Sequence, residues 1–263
     1  MSETWLITGA TSGFGRLVAE RALARGAHVL AVGRRADRLA ELASGARVTP
    51  IALDITAPDA QSVLRTAIDA AGRLDVLVNN AGYGLFGSVE QISDADARAL
   101  FDTNVLANLA VLRAALPALR AAKGRIVQMS SLNGQFAWAS SGLYSASKAA
   151  VELFSEALAQ ELQPTGVRVT IVEPGVFATE FAASLNVVLP DDVYAPTVGR
   201  FLHDFSQLPP SAFGDPNRVA DAVLEAVTMA EPPLRLAVGA DAVTGIRTSL
   251  QSRLDELNRT APS

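Results

Sequence analysis

Short, almost continuous apolar runs alternate with longer amphipathic stretches along the whole chain, and this alternation is its tightest structural constraint. The runs begin with WLIT (Trp5–Thr8), HVLAV (His28–Val32), RVTPIALD (Arg47–Asp54) and LDVLVNN (Leu74–Asn80). GRIVQMSS (Gly124–Ser131), VRVTIVEPG (Val167–Gly175) and LRLAV (Leu234–Val238) follow. Runs of this length with little polar alternation read as strands covered on both faces. Between them, Phe14–Arg25, Pro58–Ala71, Asp94–Ala122 and Tyr144–Gln163 place apolar residues at helical spacing, as at Leu153, Ala157, Leu158 and Leu162. Strands alternating with helices pair in parallel through right-handed crossovers. The sequence therefore predicts an α/β chain with a doubly wound, seven-stranded parallel sheet flanked by helices.

One segment breaks the rhythm. Residues 179–213 are rich in Pro, Asp and bulky apolar side chains, and read as an insertion before a final helix starting near Asp215. A tail, Asp241–Ser263, carries an amphipathic stretch around Ile246–Leu257. With 263 residues, 49% hydrophobic and 19% charged, residues 1–263 suit a single domain with one large core. A net charge of −5 without a basic block argues against nucleic acid as a partner. Cysteine is absent, and His28 and His203 are the only histidines, which leaves no metal site to expect. The N-terminal residues pass directly into a strand, with no sign of a signal peptide. Asn104, Asn108 and Arg113 interrupt the most apolar helix, so no run approaches the ~20 residues of a membrane span. A cytoplasmic, soluble protein is the expectation.

TGATSGFG (Thr8–Gly15) joins the first strand to the first helix. Gly9 permits a tight turn, Gly13 lets backbone N–H groups approach a pyrophosphate, and Gly15 lets the helix lie close to the sheet. Thr11, Ser12 and Phe14 complete the loop. A Rossmann-type dinucleotide site is the reading. The second strand ends in AVGRRADRL, with Gly33 where a ribose-binding acid could stand and Arg34 and Arg35 after it. Two guanidiniums suit a 2′-phosphate, so NADP (NADPH) is expected in preference to NAD. Asp37 is the nearby acid that could pair with an arginine or bind a ribose.

GLYSASKAA (Gly142–Ala150) then sets a phenol and an ammonium one helical turn apart, in a chain whose tyrosines are only 83, 144 and 194 and whose lysines are only 123 and 148. Random placement would give roughly 0.02 such pairs. Ser131 ends the fifth strand, Asn80, Ala81 and Gly82 follow the fourth, and ligands of doubly wound sheets bind at these carboxyl ends. A free phenol titrates near pH 10. A cation one turn away favours its phenolate, so Lys148 is expected to make Tyr144 titratable.

TGATSGFG (8–15), LDIT (53–56), NNAG (79–82), FDTN (101–104), Ser131 followed by YSASK (144–148), and PGVFAT (174–179) stand in the order and spacing of one family. Over nearly its whole length the chain resembles the short-chain dehydrogenases/reductases, and its arginines after strand two resemble those of NADP-preferring members. The resemblance implies hydride transfer with Tyr144 as general acid/base, and Ser131 bonding the substrate oxygen. It also implies Lys148 on the nicotinamide ribose and Asn104 holding a proton-relay water. For the cofactor it implies Asp54 and its neighbour Ile55 at the adenine, and Asn80, Ala81 and Gly82 at the ribose. Pro174, Gly175, Val176 and Thr179 would lie at the nicotinamide carboxamide.

Around the open end of that pocket the sequence offers Phe136 and Trp138 after Ser131, then Phe177 and Phe181, with Leu185, Val187, Val188, Leu189, Tyr194, Phe201 and Phe205 further on. An apolar pocket suits a lipophilic ketone or secondary alcohol, hence a carbonyl reductase or alcohol dehydrogenase. The alternatives are an NAD-linked, acyl-thioester- or polyol-specific member, or a non-catalytic dinucleotide-sensing protein of the same fold. Small apolar helix faces suggest a homodimer or homotetramer. Glu173, before the Pro-Gly turn, has no evident role in the sequence.

Overall fold

The computed structural model describes residues 2–43, 45, 47–180 and 185–260. Its strands are β1 (Thr4–Thr8), β2 (His28–Gly33), β3 (Val48–Ala52), β4 (Val76–Asn79), β5 (Leu85–Phe86), β6 (Arg125–Met129), β7 (Arg168–Pro174), β8 (Asn186–Val187) and β9 (Arg235–Val238). The first helices are α1 (Gly13–Ala24), α2 (Ala36–Leu42), α3 (Ala60–Ala71), α4 (Asp94–Phe101) and α5 (Ala107–Ala122). After them come α6 (Gly142–Leu162), α7 (Arg200–Ser206), α8 (Asn217–Thr228) and α9 (Ala240–Thr260).

Seven strands pair in parallel in the order β3-β2-β1-β4-β6-β7-β9, with Ile7 opposite Ala31 on one side and Val78 on the other. Helices cover both faces, which explains the unbroken apolar runs. Trp5, Ile7, Val29 and Val78 meet Val18 and Ala22 of α1 and Val219 and Val223 of α8. Their neighbours Leu6, Leu30, Leu77 and Ile126 turn the other way, onto Leu64 of α3 and Val111 and Leu119 of α5. Leu6, Ile7 and Leu77 are wholly buried, each stabilising the fold by about 1.5–3 kcal/mol. The strand order reverses beside β1, and the carboxyl ends of β1 and β4 part there to open a crevice.

Four local features depart from the sequence reading. Asp94–Ala122 is not uniformly α-helical: residues Asp102–Leu106 form a π-helical turn between α4 and α5. That segment is also, among the described residues, long and apolar enough to cross a membrane, contrary to expectation. Its Val111, Leu112, Ala115 and Leu119 are spent on the sheet instead. Leu85 and Phe86 pair in parallel with Asn186 and Val187, an unforeseen two-stranded ribbon that pins part of the insertion to the body. Two-residue strands carry no periodicity, so no sequence pattern announces them. Finally, α8 is not the last helix. The tail forms α9, 21 residues long with only Ala242 buried. Phe181 lies outside the described residues.

Candidate active site

At the end of β1, Gly9 (φ +68°) and Gly13 (φ +52°) occupy the left-handed region that side chains resist. A Cβ on Gly15 would lie 2.4 Å from the Gly9 carbonyl oxygen, so α1 can start this close to the loop only with glycine there. Asn80 completes the platform by donating from Nδ2 to the Thr8 carbonyl (2.9 Å). The Thr8 hydroxyl accepts from the N–H groups of Asn80 (2.9 Å) and Ala81 (3.0 Å). Ser12 precedes α1 in extended conformation and makes no capping bond, and the first turn of α1 holds no acid. The positive helix end is therefore left to an outside anion, as a pyrophosphate site requires.

This loop forms one wall of a cleft of about 750 Å³. Thr11, Ser12, Gly13, Phe14, Arg34, Arg35, Asp54 and Ile55 line it on the β1–β3 side; Asn80, Ala81, Gly82, Pro174, Gly175, Val176 and Thr179 line it further along. Gly15 lies beneath the loop rather than on the wall. A Cβ at Gly33 would come within 2.5 Å of Thr11 Cγ2, so the missing acid has no room unless Thr11 moves. The Arg35 guanidinium spans Thr11 Oγ1 (3.2 and 3.4 Å) and Glu180 Oε2 (3.4 Å). Asp54 accepts from the N–H (2.9 Å) and hydroxyl (2.7 Å) of Thr56, which hold its carboxyl below the usual range, with Arg34 adding to the effect. The Val176 N–H donates to Asp241 Oδ2 (2.7 Å), so the first turn of α9 reaches into this wall.

Tyr144 and Lys148 stand one turn apart on the buried face of α6, with Nζ 5.9 Å from the ring centroid and donating to the Met129 carbonyl (2.9 Å). Ser131 follows β6, its hydroxyl accepting from Asn133 N–H (3.2 Å) and bonding with the Tyr144 phenol. Burial pushes that phenol up to about 12, opposed by Ser131, and pushes Lys148 down to about 8, opposed by Glu152. The phenol thus lies above its usual range, opposite to the net shift expected beside Lys148. Desolvation is the larger effect for both, and at neutral pH the protein's own groups keep Tyr144 a proton donor beside a charged ammonium.

Asn104 lies directly behind Gly82. It is buried in the π-helical turn, its Oδ1 accepting from Tyr83 N–H (3.0 Å), its Nδ2 donating to Tyr83 O (3.0 Å) and Ser147 Oγ (3.1 Å). Both amide hydrogens are committed, so the side chain clamps the loop after Gly82 against α6 and is not on the cleft wall.

Of the aromatic residues, Trp138 lines the cleft. Phe136 does not: it packs on Trp138 (5.7 Å) and against Gly245 of α9. Phe177 touches the cleft but is 6% exposed and sits edge-on to Phe14 (5.7 Å), on the core side. Sequence reasoning missed Phe86, whose ring lies 5.9 Å from Tyr144, and Leu132, Asn133 and Tyr83 on the same walls. Phe205 reaches Phe86 from α7 at 6.4 Å. Of these, Phe86 lies in the β5–β8 ribbon, whose pairing the sequence does not announce.

Residues 3–188 match the family model described as short chain dehydrogenase. The chain belongs to that family. Oxidoreductase BOA17 of Botryotinia fuckeliana is 38% identical over 251 residues, covering 92% of this chain and 91% of the relative. Serine 3-dehydrogenase of Agrobacterium fabrum is 40% identical over 185 residues, covering 69% and 74%. Among solved structures, a short-chain dehydrogenase from Streptomyces avermitilis superposes with a TM-score of 0.90 at 38% identity, covering 98% and 95%. One from Burkholderia cenocepacia, in complex with NADP, gives 0.79 at 29% identity, covering 99% of this chain and 98% of its own. One from Burkholderia phymatum, in complex with NAD, gives 0.84 at 25%, covering 100% and 98%. Membership makes this an oxidoreductase of the fold that uses nicotinamide dinucleotides and acts on small molecules.

Proposed function

We propose that the protein is an NADP(H)-dependent oxidoreductase interconverting a lipophilic ketone and its secondary alcohol. One observation carries the reading: Ser131, Tyr144 and Lys148 converge on the cleft that the glycine loop also lines. A reduced nicotinamide held by the glycine loop and Lys148 would supply the hydride for the carbonyl carbon. Ser131 holds the carbonyl oxygen, and Tyr144 protonates it as negative charge develops there. Lys148, charged at neutral pH, favours the tyrosinate left behind. In the oxidative direction the same groups accept the proton.

Arg34 and Arg35 supply the cations a 2′-phosphate needs, and at Gly33 an acid that would repel it is absent and would require Thr11 to move. The substrate end is apolar, built from Phe86, Leu132, Trp138, Leu185 and Phe205. A carboxylate-bearing substrate such as serine would need a cation there. Among the described lining residues the cations are Arg34, Arg35 and Lys148, and Lys148 is already held by Met129. Leu153 on α6 (68% exposed) and Leu106 at the end of the π-helical turn (56%) support pairing of this side of the molecule with a second copy, which sedimentation would register as a dimer or tetramer.

Tyr144→Phe tests the chemistry. Turnover should fall by about 10²–10⁴-fold while NADPH affinity stays within twofold. Turnover that persists unchanged would remove Tyr144 from the chemistry, and cofactor binding with no turnover in either form would instead favour a dinucleotide sensor. A carbonyl panel tests the substrate class, with aryl and alicyclic ketones expected above sugars and acyl thioesters.

A further inference from the structure

One turn beyond Lys148 on α6 lies Glu152, and opposite it on β7 lies Glu173. Each side chain is 3% exposed. A single guanidinium serves both. Arg235 Nε donates to Glu152 Oε2 (3.0 Å) and stands 4.0 Å from Glu173 Oε1, while its Nη2 is spent on the more exposed Glu156. Glu173 Oε1 otherwise accepts from Gln135 Nε2 (2.6 Å). Glu152 Oε1 and the Ser130 hydroxyl are buried without a hydrogen bond of ordinary length. Both crowd Gly134, where a Cβ would lie 2.7 Å from Ser130 Oγ and 3.2 Å from Glu152 Oε1.

Two buried carboxylates facing one shared cation resist ionising together, so below neutrality one keeps its proton. Burial raises both carboxyls, but at Glu152 it is opposed by Ser130 and Arg235 together, so Glu173 is the member that keeps the proton. Burial, with the negative charge of Glu152 beside it, pushes Glu173 up to about 7. Lys148, wholly buried, has the Met129 carbonyl as a neutral acceptor and Glu152 as the anion that favours its charged form. The other charged groups around the pair are engaged elsewhere. Glu156 is on Arg235, Arg253 of α9 donates to the Gln135 carbonyl, and Asp241 accepts from Val176. Just after β6, the neutral Ser130 lies beside Glu152 at Gly134.

We propose that Glu152 and Glu173 form a one-proton carboxylate pair that keeps Lys148 charged, so that both act as positioning residues behind Tyr144. This rests on the role of Lys148 proposed above, and it gives Glu173 the role the sequence lacked. As pH rises through neutrality, Glu173 loses its proton, and the added negative charge holds the ammonium more firmly.

Because the chain has only Lys123 and Lys148, [13Cε]lysine NMR of the full chain without cofactor gives two resonances, assigned with Lys123→Arg. The Lys148 signal should titrate with a midpoint near 8 and show a smaller inflection near 7. Glu152→Gln should lower the midpoint by at least about one unit, and Glu173→Gln should abolish the neutral inflection. A Lys148 midpoint unmoved by Glu152→Gln overturns the proposal, as does an inflection that survives Glu173→Gln. If Glu152→Gln fails to fold, Glu173→Gln, which can still accept from Gln135, decides alone. No turnover is needed, so loss of the reductase reading would leave this result standing or falling by itself.

Discussion

Replacing Arg35 by Ala removes a guanidinium that now rests between the Thr11 hydroxyl and Glu180. A 2′-phosphate at this position would gain one charge-assisted contact, worth about 1.5–3 kcal/mol. The phosphate must first displace Glu180, whose half-exposed pair with Arg35 at 3.4 Å is worth about 0.2–1 kcal/mol. The net of about 0.5–2.8 kcal/mol predicts that Arg35→Ala weakens NADPH binding by about 2- to 100-fold and leaves NADH within about twofold. Removing the competitor tests the same arithmetic from the other side: Glu180→Gln should tighten NADPH by up to about fivefold. Fluorescence titration of both cofactors at low and moderate salt would read this, with the NADPH effect shrinking as salt rises. Equal losses for the two cofactors, or a Glu180→Gln variant that weakens NADPH, would refute the assignment of Arg35 to the phosphate.

Gly15→Ala drives a Cβ to 2.4 Å from the Gly9 carbonyl and should cost about 1–3 kcal/mol in urea denaturation, whereas Gly13→Ala, with Thr179 Cβ 3.8 Å away, should cost only the strain of its φ of +52°, about 1 kcal/mol. Ser140 holds a φ of +84° with a buried, unbonded hydroxyl, so Ser140→Gly should raise stability by about 1 kcal/mol, or 2–4 °C in Tm; a lower Tm would show that the hydroxyl is needed. Lys148 binds fewer protons folded than unfolded between about 8 and 10.5, so its contribution to stability rises with pH across that window. Tyr144 binds more between 10 and about 12, so its contribution falls there. The stability advantage expected of Lys148→Met at pH 8 should therefore shrink by about 1–3 kcal/mol by pH 10.5, and a constant gap would contradict the burial of a charged ammonium.

The sheet was legible because burial on both faces writes itself into composition: a strand such as WLIT has no polar side to hide, so its run is unbroken. The glycine loop was legible for a related reason, since close backbone approach at Gly9 and Gly15 and a positive φ at Gly9 and Gly13 all favour glycine. The pairing of Tyr144 with Lys148 needed only the pitch of a helix. These are local constraints, and a linear sequence records them.

Other features arise only when distant segments meet. Asn104 sits in a motif, yet the π-helical turn and Tyr83 decide that its amide is consumed as a clamp. Phe136 and Trp138 are two residues apart and equally apolar, but one turns beneath α9 and the other into the cleft. The direction of the Tyr144 shift follows from how much protein surrounds it, which no spacing encodes. Glu173 drew notice in the sequence as a carboxylate in an apolar strand. Its meaning came from Glu152, Gln135 and Arg235, contributed by a helix, a loop and another strand. Covalent and short-range geometry is fixed by residue identity, whereas desolvation and charge pairing depend on every neighbour the fold brings within a few ångströms.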